Sequence, residues 1–413
     1  VVRRINDLTD YYMDMHEEKG SRFNFDCTLW FEEYRQARPQ QRVRKLVELL
    51  KDGTFEMGAM FAVFFNGIMT EEEMIQSLIP ALRMEKKHGI PFSSAIPTEV
   101  PSLNWGMATV LAGAGIRHIV RGAFWLNNKN IVNREPYPIF RWVGPDGSGI
   151  LTKYDMYSGT DTFGGYGEAK PLRIGTYEER VGFLEKAIER YEAYEYYPFD
   201  AILLAGTGWD EYPFNSQALD FINWYNQQGW EYPKLVDATW NDFWKHIDRN
   251  IDQGAVVPVQ AGDWGSSWEE WPAQLAYINA IYRNAREIVL SAQTASAADF
   301  IITQAVDASR EEKIYESFLN LNKFCDHNIG GILPPEADDM RDRKIAYVYN
   351  AMKTGAVALE GSLASLTENI KCSKDALLVF NPLPWNRSGL VHKVMDEIRE
   401  YKVIDSVSDR VLP

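Results

Sequence analysis

A chain of 413 residues, 46% hydrophobic and 24% charged, is long enough to bury a large core. That excludes a disordered tail, a collagen-like fibre and a disulfide-stapled mini-scaffold. With 43 basic against 58 acidic side chains the net charge is −15, which disfavours nucleic acid or an anionic membrane as partner, and no apolar run reaches the ~18 residues that span a bilayer.

Aromatic residues are 13% of the chain, with 13 Trp, 21 Tyr and 20 Phe. Flat apolar faces with polar edges suit a carbohydrate ligand, although large cores use them too. Cys27, Cys325 and Cys372 are far apart and odd in number, so they are read as free thiols. The chain opens on Val1 within a helix-like stretch and stops after a strand-like one, and it is expected to be a fragment. Its compartment, cytoplasmic or secreted, and its oligomeric state stay open.

Taken in order, residues 3–19 read as a helix and 23–28 as a short strand. Residues 40–50 form a helix stopped by Gly53. The apolar run 55–65 reads as a buried strand. Residues 70–88 form a helix opened by Thr70 with Glu73 three positions on, the pattern of a capping box. Next come a strand at 91–97, a helix at 105–114 and a strand at 118–120. Residues 137–156 make a β-hairpin turning at Gly144-Pro-Asp-Gly147. Helix 176–194, strand 201–204, helix 216–227, strand 234–238 and helix 240–251 follow. This alternation predicts a parallel α/β sheet or barrel.

After Gly254 the pattern is helical over 271–308, 311–321 and 338–366, a bundle of about three long helices. From Ala376, a strand, a proline turn and a second strand open a β domain.

Three segments carry a resemblance. Val379-Phe-Asn-Pro-Leu-Pro-Trp-Asn-Arg-Ser-Gly-Leu-Val391 is similar to the FNPLSWPRS-type entry into the β domain of glycoside hydrolase family 38, the retaining, zinc-dependent α-mannosidases. Ala95-Ile-Pro-Thr-Glu-Val-Pro-Ser-Leu-Asn-Trp-Gly106, leading to Ala114-Gly-Ile116, resembles the family's nucleophile segment, W-x-P-D-x-F-G followed by a helix and A-G-I. Glu99 precedes Gly115 by 16 positions, the family's spacing, so Glu stands where the family has its Asp nucleophile. Asp326-His-Asn-Ile-Gly-Gly331 resembles the segment that carries the zinc-binding histidine.

The resemblance covers essentially the whole chain, in an outlying branch. It implies a seven-stranded (β/α)-barrel-like catalytic domain over 1–256, a three-helix bundle over 257–370 and the start of a β-sandwich domain over 371–413. The family's H-x-D on its first strand, which supplies two metal ligands, is expected to lie upstream of Val1. The chain's one H-x-D, His246-Ile-Asp248, sits mid-helix and reads as a solvated helix face.

Retaining glycosidases use two carboxyl groups ~5–5.5 Å apart. The resemblance assigns the nucleophile to Glu99, at the end of a strand before a proline turn, where α/β proteins keep their active sites. Its extra methylene gives about 1.5 Å more reach than Asp. The acid/base falls in the glycine-rich Leu204-Ala-Gly-Thr-Gly-Trp-Asp-Glu-Tyr-Pro213, on Asp210 or, as the alternative, Glu211. His327 and Glu99 are the implied ligands of a divalent metal, Zn2+.

Substrate-binding candidates are Trp105, Trp209 and Tyr212 beside these groups, Asp263 and Trp264 at the junction with the helical region, Tyr154 and Asp155 at a strand end, and Arg121 after another. The implied function is hydrolysis of α-mannosides or related glycosides, with a carbohydrate substrate and neither nucleic acid nor membrane as partner. Two alternatives stand beside it: a catalytically silent carbohydrate-binding relative, and a metal-dependent deacetylase-type hydrolase on a similar barrel.

Overall fold

The computed structural model describes residues 2–97, 103–121, 137–154, 169–204, 216–263, 272–273, 275–327, 336–372, 376–394, 402–405 and 408–411.

Helix α1 (Val2–Lys19) ends at Gly20, whose positive φ of 71° turns the chain into strand β1 (Phe23–Phe25). Helix α2 (Leu29–Ala37) follows, an element not anticipated from the sequence. Its Leu-Trp-Phe start has strand-like propensity, but Phe31 and Tyr34, three apart, form one buried face. Helix α3 (Gln40–Lys51) stops before Gly53 as expected, and β2 (Phe55–Met57) follows.

The expected helix over 70–88 is two: α4 (Glu71–Gln76) and α5 (Ile79–His88). Thr70 and Glu73 form the capping box, and the break falls just before Pro80, which has no N–H to continue a helix. Then come β3 (Ser94–Ala95), α6 (Gly106–Gly113), β4 (His118–Arg121), and the hairpin of β5 (Ile139–Val143) and β6 (Gly149–Tyr154). Its turn closes where expected, with the Gly147 N–H donating to the Gly144 carbonyl at 3.0 Å. Helices α7 (Tyr177–Glu192), α8 (Gln217–Gln227) and α9 (Trp240–Asp252) lead to a further unanticipated strand, β7 (Val259–Ala261).

Strands β3-β4-β6-β5-β7 form one sheet and β1-β2 another. Strands β1 and β2, β3 and β4, and β4 and β6 pair in parallel, whereas β5 runs antiparallel to β6. The two sheets adjoin: the Gly58 N–H donates to the Phe25 carbonyl and the Ala59 N–H to the Ser94 carbonyl, each at 2.9 Å. The fold is therefore α/β, but the described residues do not close a seven-stranded barrel. Residues 201–204 and 234–238, expected as strands, form none. At Leu235 a side chain takes the place of a partner strand: the Asn226 amide accepts its N–H at 3.1 Å and donates to its carbonyl at 2.8 Å.

Helices α10 (Ala276–Thr303), α11 (Ala308–Cys325) and α12 (Glu336–Asn369) pack on one another as the expected bundle. Where α12 crosses α10, a Cβ on Gly355 would come within 2.8 Å of the Val289 side chain. Arg310 and Asp299 form a buried ion pair of 2.5 Å, joined by Ser296.

The apolar run 55–65 is wholly buried, yet only its first three residues form a strand. The rest runs between sheet and bundle, where Phe61, Phe64 and Phe65 share one core with Tyr282, Phe318 and Phe324. Burial on both sides explains the apolar stretch 58–65. Beyond the bundle, the described residues of the expected β domain make a single bridge, Ile404 to Val411. All three cysteines are free, with Cys27 and Cys325 buried. Among the described residues no helix is long and apolar enough to cross a membrane.

Candidate active site

Because β1, β2, β3, β4 and β6 share a direction through their parallel pairings and the Gly58 and Ala59 links, their carboxyl ends face one edge. In α/β folds this edge is where ligands bind. Asp26 follows β1, Gly58 follows β2, Ile96 and Pro97 follow β3, and Arg121 ends β4 opposite Tyr154 of β6 in register. At Gly58 an added Cβ would lie 2.3 Å from the Asp26 carbonyl oxygen and 3.0 Å from the Ile96 nitrogen, so only glycine lets three strand ends converge.

The segment beyond Gly58 ties the bundle to this edge. The Thr28 and Leu29 N–H groups donate to the Met60 and Phe61 carbonyls at 3.0 and 2.9 Å. The Phe65 N–H donates to the Cys325 carbonyl at 2.9 Å, and the His327 N–H to the Val63 carbonyl at 2.7 Å. His327 is thus brought by the end of α11 to the edge where β1 and β2 finish.

Asp26 lies at the same edge, just past β1. The Asp26 carboxylate accepts the Trp30 indole N–H. Burial pushes its pKa up, against the pull of Trp30, Cys27 and the nearby His327, while Asp326 adds to the rise. Burial, with Asp26 and Asp326 adding to it, pushes the Cys27 thiol well above its ordinary range. His327 Nδ1 lies 3.4 Å from Asp326 Oδ2. Imidazole and carboxylate are the nitrogen and oxygen donors that zinc accepts. His327 is a side chain of that donor type, and among the described residues no group of three His, Cys, Asp or Glu could hold a metal ion.

Of the residues singled out in the sequence, Glu99, Asp155, Trp209, Asp210, Glu211, Tyr212 and Trp264 lie outside the described residues. Tyr154 is 5% exposed and packs in the main core instead of lining an open cleft. Trp105 and Asp263 come together: the Trp105 N–H donates to Asp263 Oδ1 at 2.5 Å, and its indole to the Val143 carbonyl at 2.7 Å. Val143 faces Gly149, where β6 begins, so by register this pair sits at the hairpin-turn end of the sheet, away from the carboxyl ends. Its contacts fasten the start of α6, where Asn104 also caps the Met107 N–H at 3.1 Å. Trp105 and Asp263, each expected to bind substrate, here hold the start of α6.

His246 and Asp248 take separate partners, Asp200 at 2.6 Å and His118 at 3.1 Å, in line with their reading as a helix face. His118 stacks on Trp244 with ring centroids 4.6 Å apart, and burial lowers its pKa. Asp26 and Trp30 escaped the sequence reading, although a carboxylate just past an alternating Phe-Asn-Phe strand was the available signal.

The model of the glycosyl hydrolases family 38 N-terminal domain matches residues 2–264. An alpha-mannosidase from Enterococcus faecalis V583 has a similar fold, with TM-score 0.70 and 15% identity, over 89% of this chain and 40% of that one. So does a protein in the glycosyl hydrolase family 38 from Enterococcus faecalis, with TM-score 0.64 and 14% identity, over 89% of this chain and 38% of that one. The chain spans about two fifths of the length of these structures. No curated protein matches its sequence.

Proposed function

The chain belongs to glycosyl hydrolases family 38, and from that premise we propose that it is the catalytic part of a retaining glycosidase acting on α-mannosides or related glycosides. The observation that carries the reading is the arrival of His327, through its N–H bond to the Val63 carbonyl, at the carboxyl edge of the parallel strands, within a chain whose residues 2–264 fit the family's domain. The proposed organisation is a catalytic domain over 1–256, the bundle over 257–370 and the start of a β domain from 371.

In this reading Glu99, just past β3, attacks the anomeric carbon, and Asp210, or Glu211 in its place, protonates the departing oxygen. The sugar is then carried as an ester on Glu99. The same acid, now a base, takes a proton from water, which releases the sugar with its anomeric configuration kept. His327 and Glu99 would hold a divalent metal, zinc by donor type, which when bound would orient sugar hydroxyls and offset developing charge. Asp26, desolvated and held by Trp30, keeps a buried carboxyl group at the same edge.

Glu99→Gln tests the reading. Turnover of an aryl α-mannoside is expected to fall by at least ~10³-fold with the fold intact, since a neutral amide cannot form the ester. A variant as fast as wild type would refute the nucleophile.

A further inference from the structure

We infer that Lys344 is a positioning residue for His327: its buried ammonium fixes the peptide group from which that side chain projects. The inference rests on the proposed metal-binding role of His327.

Lys344 lies within α12 and is 3% exposed. Its Nζ donates to the carbonyls of Lys323 at 2.7 Å, Phe324 at 3.2 Å and Asp326 at 3.1 Å. The Asp326 carboxylate stands 3.6 Å away. These carbonyls end α11, and the last carbonyls of a helix have no partners within it. An ammonium has three protons to give, and here there are three carbonyls to receive them. A buried cation costs several kcal/mol unless so compensated, and here it also meets the negative end of the α11 dipole.

The third bond places His327. The Asp326 carbonyl and the His327 N–H belong to one peptide group. Its oxygen is held by Lys344 at 3.1 Å and its N–H by the Val63 carbonyl at 2.7 Å. A peptide is planar, so anchoring both polar atoms sets the plane, and with it the position of the His327 Cα from which the side chain springs. One anchor comes from the bundle and the other from the segment that follows β2. Lys344 touches no reacting group. It acts through the backbone, as outer partners of metal ligands do, and losing such partners weakens metal affinity about 10–100-fold.

The test is the affinity of the protein for zinc ion, measured by competition with a chelator, alongside its thermal melting. Lys344→Met keeps the length of the side chain and removes the ammonium. Its zinc dissociation constant is expected to rise 10–100-fold while the protein stays folded at the assay temperature. Lys344→Arg keeps the charge but replaces a compact donor by a planar fork. It is expected to melt close to wild type and still bind zinc more weakly, which keeps the test open should Lys344→Met not fold. Wild-type affinity in a folded Lys344→Met or Lys344→Arg protein would overturn the inference. His327→Ala separates the two levels: zinc affinity unchanged by that substitution would remove the metal reading itself, whereas affinity lost with His327→Ala but kept with Lys344→Met would remove only the role of Lys344.

Discussion

Glu56 gives a stability prediction whose sign and size follow from its surroundings. It lies mid-way along β2, 6% exposed, and accepts the Asn241 N–H at the start of α9 at 2.7 Å. Burial raises its pKa to about 7, against the opposing pull of Asn241 and Ser94. A carboxyl group whose folded pKa exceeds its unfolded value, near 4.5, adds stability at low pH. That contribution is complete below about pH 4.5 and is lost as pH rises through about 7. The gap corresponds to about 3 kcal/mol. Glu56→Gln keeps an oxygen for the Asn241 N–H and removes the titration. Relative to wild type, the variant is expected to gain about 3 kcal/mol between pH 4 and pH 8, read from urea-unfolding midpoints across that range. A difference that does not change with pH would refute the reasoning.

Two further predictions concern packing and charge. Gly58→Ala would press a methyl group onto the Asp26 carbonyl, 2.3 Å away, with backbone on both sides; a loss of at least 1–3 kcal/mol is expected, and an unchanged melting temperature would contradict it. Asp299→Ala strands the buried guanidinium of Arg310 between α10 and α11 and should cost about 3–5 kcal/mol, a loss that denaturant unfolding would register and whose absence would argue against a buried pair.

Local chemistry made much of the fold legible. The Thr70 and Glu73 capping box, the stop at Gly53 and the turn at Gly144 to Gly147 each depend on a few neighbouring residues, and each formed. Expectations failed where a distant partner decides. Residues 58–65 are apolar because they are enclosed by sheet and bundle, which the sequence cannot tell from a central strand. Leu235 is satisfied by an asparagine side chain instead of a strand.

In the candidate site, His327 was legible through its motif. Asp26 was marked only by its place just past the alternating Phe23-Asn-Phe25 strand, a weak signal that many surface carboxylates share. Lys344 reads as one more charged residue on a long helix until its three carbonyl partners are seen.

Retention of configuration is the chemical signature of the mechanism proposed for this chain. Proton NMR of the first sugar released from an aryl α-mannoside by the full-length protein tests it most directly. Retention gives α-mannose first, followed by slow mutarotation. Release of the β anomer, or no hydrolysis by a folded, zinc-loaded protein, would contradict it.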